Sequence, residues 1–282
     1  MEYYKLPKKY NYYFKHLDNN QGLEFLRVQL EKLKSFNLDV LKRYKNYFDS
    51  SSDNMESTII SSDIKKFIIE FNKAENDILK QYKIYSKGSF GEDKVRDIIY
   101  TYDDEWKILN NARLVIEGNS IENDFIVIDE SGITTIEVKN IGSYSEKLII
   151  DSLGRVTRLN KSNKEIETYD MISQSNRHTA YLNKFINDKF DYKVPINSLV
   201  VITSNIRVVN KSNFKVIGPN QIYSLIKSQS NSINNNQSMS VYNELLNSLV
   251  EGNKYKYIDY ISVLEENYKL ILLSIKEYNL NN

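Results

Sequence analysis

Between Ile121 and Asn140 the chain alternates apolar and polar residues in two runs, which are joined by the residues Asp-Glu-Ser-Gly at 129–132. Alternation with a period of two is typical of β-strands, and a short polar turn that contains glycine between two such runs indicates a β-hairpin. Successive side chains point to opposite faces of a strand, so Glu137 and Lys139 share one face of the second strand. This part of the chain is therefore predicted to form antiparallel strands.

Three charged side chains of the predicted hairpin form a candidate reactive group. The register of the hairpin can bring Asp124 towards Glu137 and Lys139 at one end. Carboxylates are hard oxygen ligands for Mg²⁺, and a lysine beside them can steer or activate a water. These are the parts that a Mg²⁺-dependent phosphodiesterase needs. A cross-strand ion pair on a solvated face is the alternative interpretation, and the spacing alone does not decide between the two.

The composition limits the kind of site that the chain can hold. It contains no cysteine, which excludes disulfides, zinc–thiolate sites and cysteine nucleophiles. The only histidines are His16 and His178, so no multi-histidine metal site can form. A metal would therefore be held mainly by oxygen, which favours Mg²⁺ or Mn²⁺. The formal net charge of +1 excludes a strongly basic whole-chain nucleic-acid binder, although a local basic face remains open.

Nothing in the sequence predicts a secretory signal or a membrane span. The N-terminal residues are charged and lack the apolar stretch of a signal peptide. The longest apolar runs, such as Leu270 to Leu273, are far too short to cross a bilayer. We therefore expect a soluble cytoplasmic protein.

Hydrophobic periodicity around the hairpin predicts an α/β fold. Helical spacing over about 20–48 and 56–83 indicates an N-terminal helical hairpin. Gly88 to Gly91 is interpreted as a turn, and Glu92 to Tyr102 as a short helix. Strands are predicted near 107–117, 121–129, 132–140, 147–151, 155–160, 195–204 and 214–217, with helices over 168–188 and from about 220. This order predicts a mixed sheet flanked by helices.

The same pattern divides the chain into four segments. We expect a helical N-terminal region at 1–85, an α/β core at 86–227, a polar linker at 228–238 and a C-terminal helical segment at 239–282. The linker is predicted from its run of Ser, Asn and Gln. The terminal helices are interpreted as packing or interaction modules rather than as parts of a catalytic site.

Other polar residues are candidates for the same site, and each has a structural alternative. Glu92 opens a predicted helix, where a carboxylate also serves as a helix cap. Gln174, Arg177 and His178 lie on the helix predicted after the strands. An amide and a guanidinium there can contact a nucleic-acid backbone, or they can belong to an exposed polar helix face.

The segment from Lys139 to Lys164 has a local excess of positive charge. It contains six basic residues, including Arg155 and Arg158, against two acidic residues, Glu146 and Asp151. Such an excess fits a surface that follows phosphates. A solvated loop face fits it as well.

Four sequence blocks occur in a characteristic order between about residues 85 and 205. They are Gly88-x-x-Gly91-Glu92 with Val95; Glu122-x-Asp124 followed by Phe-Ile-Val-Ile; Gly132-Ile-Thr-Thr-Ile-Glu137-Val-Lys139-Asn140; and Gln174 with His178 and Leu182. In this order and spacing they resemble the NERD family, the nuclease-related domain, which is similar to the PD-D/E-x-K nuclease superfamily. The combination is much more specific than any single block.

The resemblance implies a restriction-endonuclease-like fold over 86–227 and a site for Mg²⁺ or Mn²⁺. In such a domain Asp124 and Glu137 would bind the metal, together with the backbone carbonyl of Val138. Glu92 would complete the metal shell, either directly or through water.

The resemblance also implies roles for residues around the metal. Lys139 would position the attacking water or stabilise charge on the phosphorane, and Gln174 would support the site from the adjacent helix. Contacts to nucleic acid are expected from four basic residues, which are Arg155, Arg158, Arg177 and His178.

These implied roles lead to three hypotheses about function. The first is a metal-dependent nuclease that hydrolyses phosphodiester bonds in DNA, with RNA as an open alternative, in defence against foreign DNA such as phage or in repair. The second is a non-catalytic module that holds nucleic acid on a nuclease-like core. The third is an interaction protein whose terminal helices form a homodimer or dock a partner protein.

Overall fold

The computed structural model divides into two units and describes residues 11–14, 19–51, 55–102, 106–141, 147–250, 255–258 and 260–281. A helical unit contains Met1–Ser86 and Asn253–Asn282, and an α/β unit contains Lys87–Gly252. Two residues used in the sequence argument, His16 and Glu146, lie outside the described residues.

The helices and strands follow one another in chain order. They are β1 (Asn11–Phe14), α1 (Asn19–Leu33), α2 (Leu38–Ser50), α3 (Met55–Ile99), β2 (Lys107–Ile116), β3 (Asn119–Asp129), β4 (Gly132–Lys139), β5 (Lys147–Ile150), β6 (Val156–Leu159), β7 (Glu165–Tyr169), α4 (Met171–Lys189), β8 (Ile196–Ile202), β9 (Arg207–Asn210), β10 (Lys215–Ile217), α5 (Ile222–Lys227), α6 (Asn235–Asn247), β11 (Tyr255–Ile258) and α7 (Tyr260–Asn281). Short 3-10 helices, Tyr100–Tyr102 and Pro219–Gln221, precede β2 and α5.

The helical unit packs α1, α2, the first part of α3 and α7 around one apolar core. The predicted helix over 20–48 is two helices, because the chain leaves the helical path at 34–37 and the Asn37 side chain caps α2 by accepting the Val40 N–H at 3.1 Å. Phe36 packs edge-on against Phe67 and Tyr268 across this core.

The helix α3 corrects the predicted turn at Gly88–Gly91, since it continues without a break to Ile99. Two glycines within a few residues normally weaken a helix by about 1 kcal/mol each. Here Gly91, Val95 and Ile99 form a buried stripe at a spacing of four residues. Burial of Val95 and Ile99 against the sheet offsets the low helix propensity of the glycines.

The central sheet has five strands in the order β10-β8-β4-β3-β2. Its hairpin β3–β4 is antiparallel, as predicted, with Phe125 opposite Ile136 and Asp129 opposite Gly132. Gly132 has φ +119°, and a Cβ there would lie 2.3 Å from the Pro195 carbonyl oxygen. The turn therefore requires glycine. The pairs β4–β8 and β8–β10 are parallel, so the sheet is mixed.

Helices cover both faces of this sheet. On one face Leu182 and Ile186 of α4 and Leu245 of α6 pack on the strands, together with β2 and β3 residues such as Leu114 and Ile126. On the other face the end of α3 and α5 cover Phe125, Val138 and Val201. The domain is thus a mixed α/β fold of the restriction-endonuclease-like kind, as the sequence predicts.

A second, four-stranded sheet has the order β7-β6-β5-β9 and packs through Leu148, Ile150 and Val156. The sequence did not predict β7 or β9, which are short strands; the side chains described at 165–167 and 207–210 are partly or fully exposed. The predicted linker at 228–238 also differs from the structure. Ile233 is buried, and the Asn234 side chain caps α6, which begins at Asn235.

Candidate functional site

The candidate site lies where the backbone ladder between β3 and β4 ends. Their pairing stops at Phe125 and Ile136, although β4 continues to Lys139 alongside β8. Asp124 stands at this point, and its Oδ2 accepts the backbone N–H of Val138 at 2.6 Å. The Val138 N–H has no backbone acceptor on β3 at this point, and the Asp124 carboxylate accepts its hydrogen bond instead.

Asp124 lies where the burial of the β3 side chains changes. From Ile121 to Asp124 the strand alternates buried and partly exposed side chains, whereas Phe125 to Ile128 are buried on both faces. Asp124 is the last partly exposed position before the fully covered core. The residue is therefore only partly covered, although its carboxyl is buried enough for desolvation to raise its pKa.

Glu137, Lys139 and Gln174 form a hydrogen-bonded chain beside Asp124. The Lys139 ammonium donates to Glu137 Oε1 at 2.6 Å and to Gln174 Oε1 at 3.4 Å. Glu137 is only 6% exposed, and a buried polar group of this kind needs a hydrogen-bond partner, which Lys139 provides. The alternative interpretation, an ion pair, is thus partly right, because Glu137 and Lys139 do form one. The pair is largely buried, however, and does not lie on a solvated face.

The two carboxylates oppose each other electrostatically. Burial raises the pKa of Asp124 well above its usual range, and the negative charge of Glu137 raises it further. The Val138 N–H and Lys139 act in the opposite direction, while Glu92 adds to the increase in pKa. A second carboxylate close enough to disfavour ionisation of the first is the arrangement that a cation relieves.

Glu92 approaches this pair because α3 lies directly against the ends of two strands. A Cβ on Gly91 would come within 3.0 Å of Asn140 Cβ and of Thr203 Oγ1, so only glycine fits without displacement. The Asn140 side chain also donates to the Lys87 carbonyl at 2.9 Å. The capping interpretation of Glu92 is wrong, because the helix begins at Met55 rather than at Glu92.

The helix α4 brings Gln174 and His178 towards the same strands. Its N-terminus is capped by Asp170, which accepts the Ser173 N–H at 2.9 Å. A hydrogen bond between the hydroxyls of Ser175 and Ser198 joins α4 to β8. Hydroxyl pairing of this kind fixes the rotation of the helix, and thereby the direction of Gln174.

His178 does not occupy the exposed position that a contact to nucleic acid requires. Its ring is 5% exposed, burial lowers its pKa, and its Nδ1 has no hydrogen-bond partner in the described part of the chain. The predicted surface contact from His178 therefore disagrees with the structure. The buried ring is instead an uncharged wall of the site, with Glu137 as the strongest charge acting to raise its pKa.

The other predicted contact residues are distributed over two elements. Arg177 is exposed on α4, and Arg155 is exposed in the turn before β6. Arg158 lies on β6 and forms an ion pair with Glu167 at 2.6 Å, which offsets its charge. Contacts from these three arginines to nucleic acid stay predictions.

The donor set can be compared with what Mg²⁺ or Mn²⁺ requires. Asp124 and Glu137 supply carboxylate oxygens, and Val138 adds a backbone carbonyl, all of them hard donors. No group of three or more histidines and carboxylates among the described residues is arranged to hold a metal by itself. The residues fit an ion held through two carboxylates, which keeps several waters, as Mg²⁺ usually does.

Asn111 is a residue near the site that the sequence argument missed. It has φ +46°, and the β2–β3 ladder skips the position where it would face Asp124, although pairs on both sides keep the same register. Asparagine tolerates this conformation better than most residues. The signal in the sequence is Asn110-Asn111 inside an apolar strand, where asparagine is uncommon.

Comparison with known protein families finds a match within the α/β unit. Residues 87–203 match the family model described as nuclease-related domain, NERD, and this match confirms the resemblance seen in the sequence blocks. No curated protein and no solved structure matches the chain. Separately, no helix in the described ranges is both long and apolar enough to span a bilayer.

Proposed function

We propose, from the premise that residues 87–203 form a domain of the nuclease-related family, that this chain is a Mg²⁺-dependent nuclease that hydrolyses phosphodiester bonds in DNA. The observation that carries the proposal is the opposed pair Asp124 and Glu137, with Lys139 bonded to one member. A buried pair of like charges destabilises a fold and is typical of sites that bind a cation. Defence against foreign DNA and repair are the settings in which we place the activity.

Asp124 and Glu137 would hold the ion, with the carbonyl of Val138, while Glu92 would add a further oxygen through water. The ion supplies a Lewis acid that neutralises charge on the phosphate. The protein's own contribution is to hold both carboxylates in place. The Val138 N–H and Lys139 offset part of the rise in the pKa of Asp124 that burial and Glu137 cause.

Lys139 has a second role towards the substrate. Its ammonium is partly exposed and is held by Glu137 and Gln174, so its position is set before a phosphate arrives. A fixed positive charge beside the reacting phosphate stabilises the negative charge that develops in the transition state. The same ammonium can orient a water for attack on phosphorus.

A non-catalytic nucleic-acid-binding module is the competing function. It is favoured by one observation, which is that the described residues contain no ready three-ligand metal group. In that case the Glu137–Lys139 pair would be a structural ion pair. The two functions differ in their response to metal, because only the nuclease needs Asp124 and Glu137 as ligands.

The decisive experiment compares wild type with Glu137→Gln on supercoiled and linear DNA in Mg²⁺, Mn²⁺ or EDTA. Glutamine keeps the side-chain shape and an acceptor for Lys139 but removes the charge. We expect cleavage by wild type in metal, none in EDTA, and a decrease of at least about 100-fold in the variant. The control is Glu117→Gln. Glu117 is an exposed glutamate in the β2–β3 turn that forms an ion pair with Lys184 of α4, so this variant should cleave DNA like wild type.

Thermal unfolding gives a second measurement that does not depend on catalysis. Mg²⁺ should raise the melting temperature of wild type and of Glu117→Gln, but not of Glu137→Gln, because a bound ligand stabilises only the folded state. Cleavage by Glu137→Gln at the wild-type rate, or cleavage that persists in EDTA, overturns the assignment. DNA binding without cleavage under any metal condition supports the competing function.

A further inference from the structure

The exposed side of α3 within the α/β unit carries an aromatic residue between two lysines. Lys87, Phe90 and Lys94 are all exposed and follow one another at spacings of three and four residues, which places them on one side of the helix. Phe90 is 65% exposed. We call these three residues the α3 stripe.

The α3 stripe lies next to the candidate active site. The Lys87 carbonyl accepts from Asn140, which directly follows Lys139, and the Lys94 ammonium donates to the Thr203 carbonyl at 3.3 Å. Asn140 and Thr203 follow the adjacent parallel strands β4 and β8. The stripe is therefore fixed at the ends of β4 and β8, on the sheet face that α3 covers. Glu137 and Lys139 project from β4 to the opposite face, so a strand bound on the stripe would pass around these ends to reach them.

The charge on this side of the helix favours an anionic ligand. Of the acidic residues near the stripe, Asp93 is paired with Arg96, and Glu92 belongs to the candidate metal site. Asp97 is exposed one turn beyond Lys94 and is the acidic neighbour on the same side. The two lysines on either side of Phe90 thus present positive charge where the ring is accessible.

A cavity of about 510 Å³ with both polar and apolar walls opens beside Lys94. Hydroxyl and amide side chains line it after β8, namely Thr203, Ser204 and Asn205, and Gln221 closes it from the segment before α5. Such groups can donate to and accept from the edges of a sugar or a base. The cavity extends the surface of the α3 stripe along the ends of the strands.

We propose that the α3 stripe and this cavity bind a single-stranded stretch of nucleic acid that leads into the candidate active site. Phe90 stacks on an unpaired base, Lys87 and Lys94 contact the phosphates on either side, and the cavity receives a neighbouring nucleotide. An aromatic ring can stack only on a base whose face is open, and the bases inside a duplex are covered on both faces. This inference rests on the proposed nuclease function and specifies its substrate as single strands, frayed ends or flaps.

The test uses the full chain in EDTA, so that binding is measured without cleavage. The chain has one tryptophan, Trp106, which is 3% exposed. In Phe90→Trp a second, exposed indole reports on the stripe. Titration with a single-stranded oligothymidylate should quench this new fluorescence, whereas a duplex of equal length should leave it unchanged.

Affinity variants separate the aromatic contribution from the charges. We expect Phe90→Ala to bind the oligothymidylate about tenfold more weakly and Phe90→Tyr to bind like wild type. Lys87→Gln and Lys94→Gln should each weaken binding and reduce its dependence on salt concentration. Leu153→Ala is the matched control, because Leu153 is 74% exposed in the same unit but lies in the turn before β6.

Wild-type affinity in Phe90→Ala, or equal quenching by duplex and single strand, overturns the inference. The outcome is separable from that of the proposed function. If Phe90-dependent binding is observed while no metal supports cleavage, the nuclease assignment fails and the strand-binding surface remains. If Glu137-dependent cleavage is observed without any contribution from Phe90, only the binding surface is wrong.

Discussion

At Asp124 a single carboxylate meets opposing requirements. Ionisation is needed for a metal ligand, yet burial and Glu137 make the ionised form unfavourable, so its pKa lies well above the usual range. Between the unfolded pKa of about 3.9 and this raised value, the folded state holds more protons than the unfolded state. Folding stability should therefore decrease as the pH rises through that window.

Asp124→Asn tests this conflict directly. Asparagine keeps an acceptor for the Val138 N–H but carries no charge, so at pH 7 without metal the variant should be more stable by on the order of 1 kcal/mol. The gain should shrink as the pH falls, and cleavage should be lost. Urea unfolding in EDTA at several pH values measures the difference, and a variant that is less stable than wild type at pH 7 contradicts the argument.

His178 should make stability depend on pH in the opposite direction. Burial lowers its pKa from the usual 6.5, so below that pH the unfolded state binds more protons and stability falls. His178→Phe should flatten this dependence between about pH 7.5 and 5.5. Asn176→Ala, at an exposed and uncharged neighbouring position, should leave the slope unchanged. An unaltered slope in His178→Phe would mean that another group titrates there.

Individual site residues were predictable where a motif spacing fixed them. The structure places Asp124, Glu137, Lys139 and Gln174 close together, as alternation in strands and order along the chain predicted, and their roles stay predictions. The sequence did not predict the burial of His178, which depends on how α4 rotates on the sheet. Nor did it predict that the Val138 N–H, rather than only its carbonyl, would face the site.

At the scale of elements, the close approach of α3 to the strand ends depends on Gly91. In Gly91→Val the new side chain meets Asn140 and Thr203, so the helix must shift away. We expect a loss of about 1–3 kcal/mol in unfolding free energy and weaker cleavage, since Glu92 moves as well. Asp97→Val places the same side chain at an exposed position of the same helix and should cost only a few tenths of a kcal/mol.

The hairpin turn gives a second comparison between two glycines. Gly132→Ala puts a Cβ against the Pro195 carbonyl, and φ there is +119°, so we expect a loss of about 3 kcal/mol or more. Gly118 has φ +76°, but a Cβ there would meet open space, so Gly118→Ala should lower the unfolding free energy by about 1 kcal/mol. Chemical denaturation of the two variants measures both values. Equal losses would show that the contact with Pro195 relaxes easily.

Elements were predictable where the side-chain period was strong. The strands β3 and β4 were found within two residues of their observed ends, because one or both of their faces are buried. The continuation of α3 through Gly88 and Gly91 could not be predicted, because local propensity favours a turn and only packing against the sheet holds the helix. The strands β7 and β9 are too short and too exposed to produce a pattern.

At the scale of the whole molecule, the α/β unit contains complete cores of its own. All the buried residues of its three apolar clusters lie between Val95 and Leu245. We therefore expect a fragment of residues 87–252 to fold cooperatively by itself and to keep the Mg²⁺-dependent increase in melting temperature. Circular dichroism with thermal unfolding checks this, and a fragment without a cooperative transition would show that the helical unit is needed for folding.

The mixed α/β class could be predicted from the sequence, but the association of the N-terminal and C-terminal segments in one helical unit could not. Its N-terminal and C-terminal parts were predicted as separate segments, whereas β1 pairs with β11 and α7 shares a core with α1 to α3. These contacts join residues more than two hundred positions apart. Hydrophobic periodicity describes local structure and contains no information on which distant segments meet.

The pairing of β1 with β11 has a consequence for the newly made chain. During synthesis α1, α2 and most of α3 leave the ribosome first, then the whole α/β unit, and only afterwards β11 and α7. At about 5–20 residues per second, the apolar faces around Leu26 and Phe67 stay uncovered for about ten to fifty seconds before Ile271 and Ile275 are synthesised. A nascent chain with an already folded α/β unit would thus still offer incompletely packed helices to a ribosome-associated chaperone.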